Sequence, residues 1–314
     1  MSKIKAVVIH RTDQNNVGDM ASNPLQYFLN QEEYQVVDVA HVGQSAFPDE
    51  LPVIYGGGGL FGNEHFGDNI KHMLGSPDVA QIEDCWDHRW HLQNPKNKEA
   101  YNKFYNTLKT AVEEAKEAIP KSTAPRITWG TGHNTQGEQT GKRYPKELRS
   151  FDLVGIRDWW SEEWQDLYPD WDWTPCASCM HPGFRKKYTA TNDIIVFEHK
   201  KQLIKSTDFG SKPIPRFVNS GNNMQQTIEL LGSAHAVITN SYHGAYWATL
   251  LGKKVLIVNP WSSKFYGFKH NVEMRTTKGG DWIEALDEAE IHTDALDECI
   301  TATETFWNKV KGVL

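Results

Sequence analysis

Short apolar runs, polar turns and helically spaced stretches succeed one another along this chain. Lys5 to His10 is an apolar run of strand length, and Tyr34 to Val42 alternates as a second strand. Between them lies a polar loop, Arg11 to Asp19, and then Met20 to Asn30 with Leu25, Phe28 and Leu29 at helical spacing. Pro52 to Tyr55 predicts a third strand that runs into a glycine turn, Gly56 to Gly59. Glu99 to Ile119 is the plainest amphipathic helix, with Phe104, Leu108, Val112, Ala115 and Ile119 on one stripe. Arg126 to Trp129 and Leu153 to Ile156 predict two more strands, ending at Gly130-Thr131-Gly132 and Arg157-Asp158, and Trp159 to Leu167 continues as a helix.

Around Pro169 to Tyr188 the periodicity dissolves into Pro, Gly and Asp, which places a domain junction there. A second block begins at Asp193 with a strand-like run. Lys200 to Pro215 is polar and loop-like, and Asn223 to Leu231 is helical in spacing. Ala236 to Thr239 then reads as a strand, Asn240-Ser241 as a sharp turn, and Gly244 to Leu251 as a helix closed by Gly252. Lys254 to Val258 is a further strand, and Trp282 to Glu290 and Asp294 to Val313 are two closing helices. Alternating strand and helix predicts an α/β protein with doubly wound parallel sheets. The expected domains are 1–182 and 183–314, with the last helix packing back on the first domain.

Composition narrows the class of protein. The 314 residues are 39% hydrophobic and 23% charged, which suits two buried cores and excludes a disordered chain. A formal net charge of -7 argues against non-specific nucleic-acid binding. No N-terminal run resembles a signal peptide and none reaches the ~18 apolar residues of a membrane span, so a cytoplasmic protein is expected. Four cysteines are too few for a disulfide scaffold and are expected to be reduced. Cys176-Ala177-Ser178-Cys179 lacks a second CxxC to complete four ligands, so no metal is expected.

The chemistry gathers at strand ends. Ser241, Tyr242 and His243 fall where a strand passes into a helix, the edge at which open α/β sheets bind ligands and where free amides suit an anion. Lys264 follows the next strand, so it can share that edge with His243. Arg157 can present a planar fork to a carboxylate or phosphate. The glycine run serves either ligand contact or a tight turn.

The ordered elements Asn16-Val-Gly-Asp19, Gly56 to Gly59, Gly130-Thr-Gly132, Arg157-Asp-x-x-Ser161, Ser241-Tyr-His-Gly244 and Ser263-Lys264 together resemble the polysaccharide pyruvyltransferase family. The resemblance covers roughly residues 5 to 270. It implies two Rossmann-like domains facing across a cleft (GT-B-like), the first on the acceptor side and the second on the donor side. It implies transfer of pyruvate from phosphoenolpyruvate onto two hydroxyls of a sugar, forming a cyclic ketal without a cofactor. His243 is then the expected general acid, with Asp19, or else Glu273, as base. Arg157, Ser241, Tyr242, Gly244, Ser263 and Lys264 are expected to bind the donor, and Asn16, Gly57, Gly58, Gly59, Gly130 and Gly132 to form cleft loops. Many members carry an Arg where this chain has Ser241, and an Asp-Pro pair where it has Pro175-Cys176-Ala177-Ser178. Two other readings stand beside this one: a nucleotide-sugar glycosyltransferase of the same architecture, with Glu273 on the ribose, and a non-catalytic sugar-binding protein.

Overall fold

The computed structural model describes residues 3–12, 15–38, 50–61, 124–134, 148, 151–159, 168–200, 202–205, 213–276 and 282–314. The expected helices at Glu99 to Ile119 and after Trp159, together with Cys85 and Ser161, lie outside the described residues.

Eleven described strands form two parallel sheets. The first contains β1 (Ala6–His10), β2 (Tyr34–Asp38), β3 (Val53–Phe61), β4 (Arg126–His133), β5 (Leu153–Ile156) and β6 (Asp172–Trp173), in the order β2-β1-β3-β4-β5-β6. The second contains β7 (Asn192–His199), β8 (Arg216–Asn219), β9 (Ala234–Thr239), β10 (Lys254–Val258) and β11 (Glu273–Arg275), in the order β8-β7-β9-β10-β11. Both sheets therefore repeat one plan: the second strand flanks the first on one side, and the third flanks it on the other. The point where the order reverses is where such sheets open a crevice at their carboxyl ends. These points fall after β1 and β3 in one sheet, and after β7 and β9 in the other.

Burial follows the strand period of two. Val7 and Ile9 face one layer with Val37, Tyr55 and Ile156, while Ala6 and Val8 face the other with Ile54, Ile127 and Trp129. In the second sheet Ile195, Phe197, Val237 and Ile257 join the largest cluster, and Val196, Ile238, Leu256 and Val258 pack on the opposite side. Five described α-helices cover these faces: α1 (Val17–Ala21), α2 (Met224–Gly232), α3 (Tyr242–Leu250), α4 (Trp282–Glu288) and α5 (Ala295–Lys311). Every residue of α3 is buried, so its apolar spacing does not mark one face. α5 lies across the first sheet, with Phe306 edge-on to Trp129 at 5.4 Å and Val310 in the same layer. None of the described helices is long and apolar enough to cross a membrane.

Several expected boundaries move. The helix expected from Met20 to Asn30 is instead the short α1 and a single 3-10 turn at Leu25–Tyr27. Ser22 closes α1 by donating its hydroxyl to the Asp19 carbonyl, and Pro24 follows at once. The glycines do not form turns at strand ends: Gly56 to Gly59 lie inside β3, and Gly130 and Gly132 inside β4. The two strands pair from Val53–Arg126 to Phe61–His133 with a bulge, and that pairing lengthens both. Gly57 has φ +70, and a Cβ there would lie 2.2 Å from the Ser22 carbonyl oxygen, so a larger residue is barred twice over. The strands β6, β8 and β11 are too short or too mixed for the period to mark. Gly252 holds the left-handed conformation expected of it after α3, with φ +64.

Candidate functional site

The carboxyl ends of the two sheets meet, and four segments contribute to one buried polar centre. They follow β1 (Asn16 to Asp19), β5 (Arg157-Asp158), β9 (Asn240 to His243) and β10 (Ser262 to Lys264). Ser262 donates to the Asn134 side-chain carbonyl at 2.8 Å, and the Trp159 amide donates to the Gly267 carbonyl at 2.8 Å. These bonds tie loops of the second sheet to strand ends of the first.

The start of α3 is built by local hydrogen bonds. Ser241 is its N-cap, accepting from the Gly244 amide at 3.4 Å and from the Asn219 side-chain amide at 3.0 Å. Thr239 accepts from the Ser241 amide at 2.9 Å. Gly244 packs directly on Phe197 and Thr239. Tyr242 and His243 have no carbonyl a turn earlier to bond, and their amides have no other partner among the described residues. Ser241 and Gly244 thus shape the helix start, while the two amides between them stay available.

His243 is 6% exposed. Its Nδ1 lies over Gly18, and its Nε2 is 3.6 Å from Cys176 Sγ. Burial, and then the nearby cations Arg157 and Lys264, hold its pKa well below the usual histidine range. The ring is therefore neutral at physiological pH.

Arg157 is 4% exposed, and its guanidinium sits 4.0 Å above the Tyr242 ring. Among the described residues its Nε has no hydrogen bond, and an Asp158 carboxylate oxygen stands 3.9 Å away. Asp158 is engaged elsewhere, accepting from the His133 amide at 2.7 Å and contacting His133 Nδ1 at 3.0 Å. Lys264 is 9% exposed, stands 4.0 Å over the Trp261 ring, and makes no hydrogen bond or ion pair among the described residues. Burial, reinforced by Arg157 and opposed by Asp19, brings its pKa down to about 7. Ser263 is fully buried beside it. Asp19 is raised by burial, against the pull of Arg11, Lys264, Lys200 and Arg157. The centre thus holds buried cations from both sheets, a neutral imidazole and a carboxylate biased toward protonation, an arrangement receptive to an anion.

The remaining expected residues divide. Asn16 caps α1 through the Gly18 amide at 2.9 Å, and so holds Gly18 and Asp19 in place. Gly57, Gly59, Gly130 and Gly132 let β3 and β4 pack against Ser22, Asn134, Pro175 and Asp158, whereas at Gly58, with φ +82, a Cβ would meet only the Ser22 hydroxyl at 4.0 Å. Glu273 stands apart on the outer strand β11, ion-paired with Arg275. Two residues were not expected at the centre, Cys176 and the Asp158-linked His133, while Gly18 lies within the expected Asn16–Asp19 element but had no role of its own. Cys176 had no signal beyond a CxxC pair, because its partner is far along the chain.

A cavity of about 550 Å³ opens against the Val17, Met20 and Ala21 side of α1, lined also by Tyr27, His181 and Asn223. Compared with known proteins, the chain matches no protein-family model and no curated protein sequence.

Proposed function

We propose that this chain is a transferase acting on a phosphorylated, carboxylate-bearing donor, and that the donor is phosphoenolpyruvate. The observation that carries the reading is the pair of buried cations, Arg157 from the first sheet and Lys264 from the second. Among the described residues neither has a hydrogen-bonded carboxylate, and both act electrostatically on His243 and Asp19. Leaving buried cations without such a partner costs folding free energy, which a dianionic ligand would offset.

In this reading the sheets belong to two Rossmann-like domains, about 1–182 and 183–314, that face one another in a GT-B-like arrangement. Arg157 takes the donor carboxylate as a fork. Lys264 and the amides of Tyr242 and His243 take the phosphate. The incoming negative charge raises the His243 pKa, so a ring that is neutral in the empty site becomes an acid when the donor is bound. His243 then protonates the vinyl carbon, which becomes the ketal methyl group. One sugar hydroxyl adds to the neighbouring carbon, and a second displaces phosphate. Of the two hydroxyl protons, one restores His243 and the other leaves with phosphate. Asp19, with its raised pKa, suits the role of base toward the sugar hydroxyl. The cavity beside α1 offers amide, phenol and thioether groups to a neutral sugar.

Thermal-shift measurements test the donor. Phosphoenolpyruvate should stabilise the protein, and phosphate should be released when a galactoside or mannoside is added. Stabilisation by UDP or GDP instead would replace this reading with the glycosyltransferase one. That alternative expects Glu273 on the ribose, and this carboxylate is ion-paired on the outer strand.

A further inference from the structure

One buried group at the centre has no part in donor or acceptor contacts: the thiol of Cys176. It is fully buried, one residue before the 3-10 turn Ala177–Met180, and it touches the imidazole of His243. The Tyr246 hydroxyl donates to the Cys176 carbonyl at 2.9 Å and holds this backbone against α3.

The direction of the hydrogen bonds can be followed from the far end. Trp247 Nε1 is 2.9 Å from Ser178 Oγ, and an indole N–H can only donate. Ser178 therefore accepts there and keeps its own hydrogen for Cys176 Sγ at 3.2 Å. Sγ, already accepting, still carries one hydrogen, and the atom 3.6 Å beyond it is His243 Nε2. A neutral imidazole has one acceptor nitrogen and one N–H.

We propose that Cys176 is a positioning residue: its S–H donates to His243 Nε2 and keeps the imidazole proton on Nδ1, the nitrogen that lies over Gly18. Trp247, Ser178, Cys176 and His243 form a one-way chain that ends in an N–H presented to α1, the short helix bearing Asp19. Burial pushes the Cys176 thiol up, so it remains a protonated donor. The use of that proton in transfer rests on the proposed function, whereas the tautomer does not.

Protein carrying 15N-labelled histidine reports the tautomer directly in a two-bond proton–nitrogen correlation spectrum at neutral pH. The His243 signals are assigned by their loss in His243→Gln. The Nδ1–H form is expected in the unaltered protein and in Cys176→Ser, which keeps a donor. Cys176→Ala should move the ring toward the Nε2–H form. An unaltered protein in the Nε2–H form, or a Cys176→Ala spectrum identical to it, overturns the proposal. If circular dichroism shows that Cys176→Ala does not fold, Cys176→Val, which likewise lacks a donor at this place, takes over, and an unchanged tautomer again overturns the proposal. In the transfer assay Cys176→Ala should lower kcat by roughly tenfold or more, with Cys176→Ser restoring most of it. The expected tautomers in a protein with no pyruvyl transfer would remove the proposed function and leave this inference standing.

Discussion

The imidazole of His243 rests on the bare Cα of Gly18: a Cβ at residue 18 would lie 2.0 Å from Nδ1 and 2.5 Å from Cγ. One residue belongs to α1, the short helix after β1, and the other to the start of α3, so the two sheet edges touch at the candidate site. Gly18→Ala should displace the ring. It should lower stability by about 1–3 kcal/mol, the usual range for overpacking. Transfer activity should fall far more than that loss explains. Chemical denaturation read beside phosphate release separates the two, and unaltered activity would show that the contact is incidental.

Lys264→Met should make the empty protein more stable, by about 1 kcal/mol or more, because it removes a buried charge with no carboxylate bonded to it. The same change should abolish the stabilisation that phosphoenolpyruvate or sulfate confers. A melting temperature that falls without ligand would mean that Lys264 is already compensated, contrary to its surroundings.

Affinity for an anion should weaken as pH rises through about 7, where Lys264 in the empty site loses its proton. Sulfate keeps the same charge across this range and isolates the effect. Its stabilisation should shrink by up to about tenfold in affinity per pH unit. Lys264→Arg should flatten the curve, since an arginine stays charged. A flat profile in the unaltered protein would exclude Lys264 as the titrating contact.

Acid should destabilise the fold through buried neutral histidines. His10, 2% exposed, is lowered from 6.5 to about 4, chiefly by burial. Its folded pKa is depressed, so the unfolded chain binds more protons between those values. The stability this group contributes is complete above pH 6.5 and is lost as pH falls toward 4. It amounts to about 3 kcal/mol. His243 acts in the same direction. His10→Leu should make the acid limb of a stability-against-pH curve visibly shallower, as urea titrations across that window would show.

Phe306→Ala should cost about 3–5 kcal/mol, because the ring is almost fully buried against Trp129 and Gly155 of the first sheet. The loss should appear as unfolding of the first sheet as well as of α5. Hydrogen exchange at β4 amides would report it, and unchanged protection there would show that the helix docks independently.

Much of the framework could be read from local pattern. The apolar runs at Lys5 to His10, Leu153 to Ile156 and Lys254 to Val258 became strands because every second residue could be buried on each face. Ser241 was legible as the entry to a helix, and Gly252 as its exit, since both act within a turn of their own position. The glycine runs were misread for the opposite reason. What makes Gly56 to Gly59 extended is the neighbouring strand β4, and no local signal carries a partner's hydrogen bonds.

The functional reading divides along the same line. Local order along the chain was enough to bring His243 and Lys264 to one edge of one sheet, because consecutive parallel strands end on the same side. Burial was not legible there. Nothing beside Arg157 or Lys264 in the chain marks either as buried, and Cys176 had the look of half a CxxC pair with no second pair. Only the meeting of the two sheets removed water from them, set Gly18 beneath the imidazole and placed a thiol at its other nitrogen. Desolvation and the pKa shifts that follow depend on what surrounds a group in space, whereas caps and strand periods depend on what lies beside it in the chain.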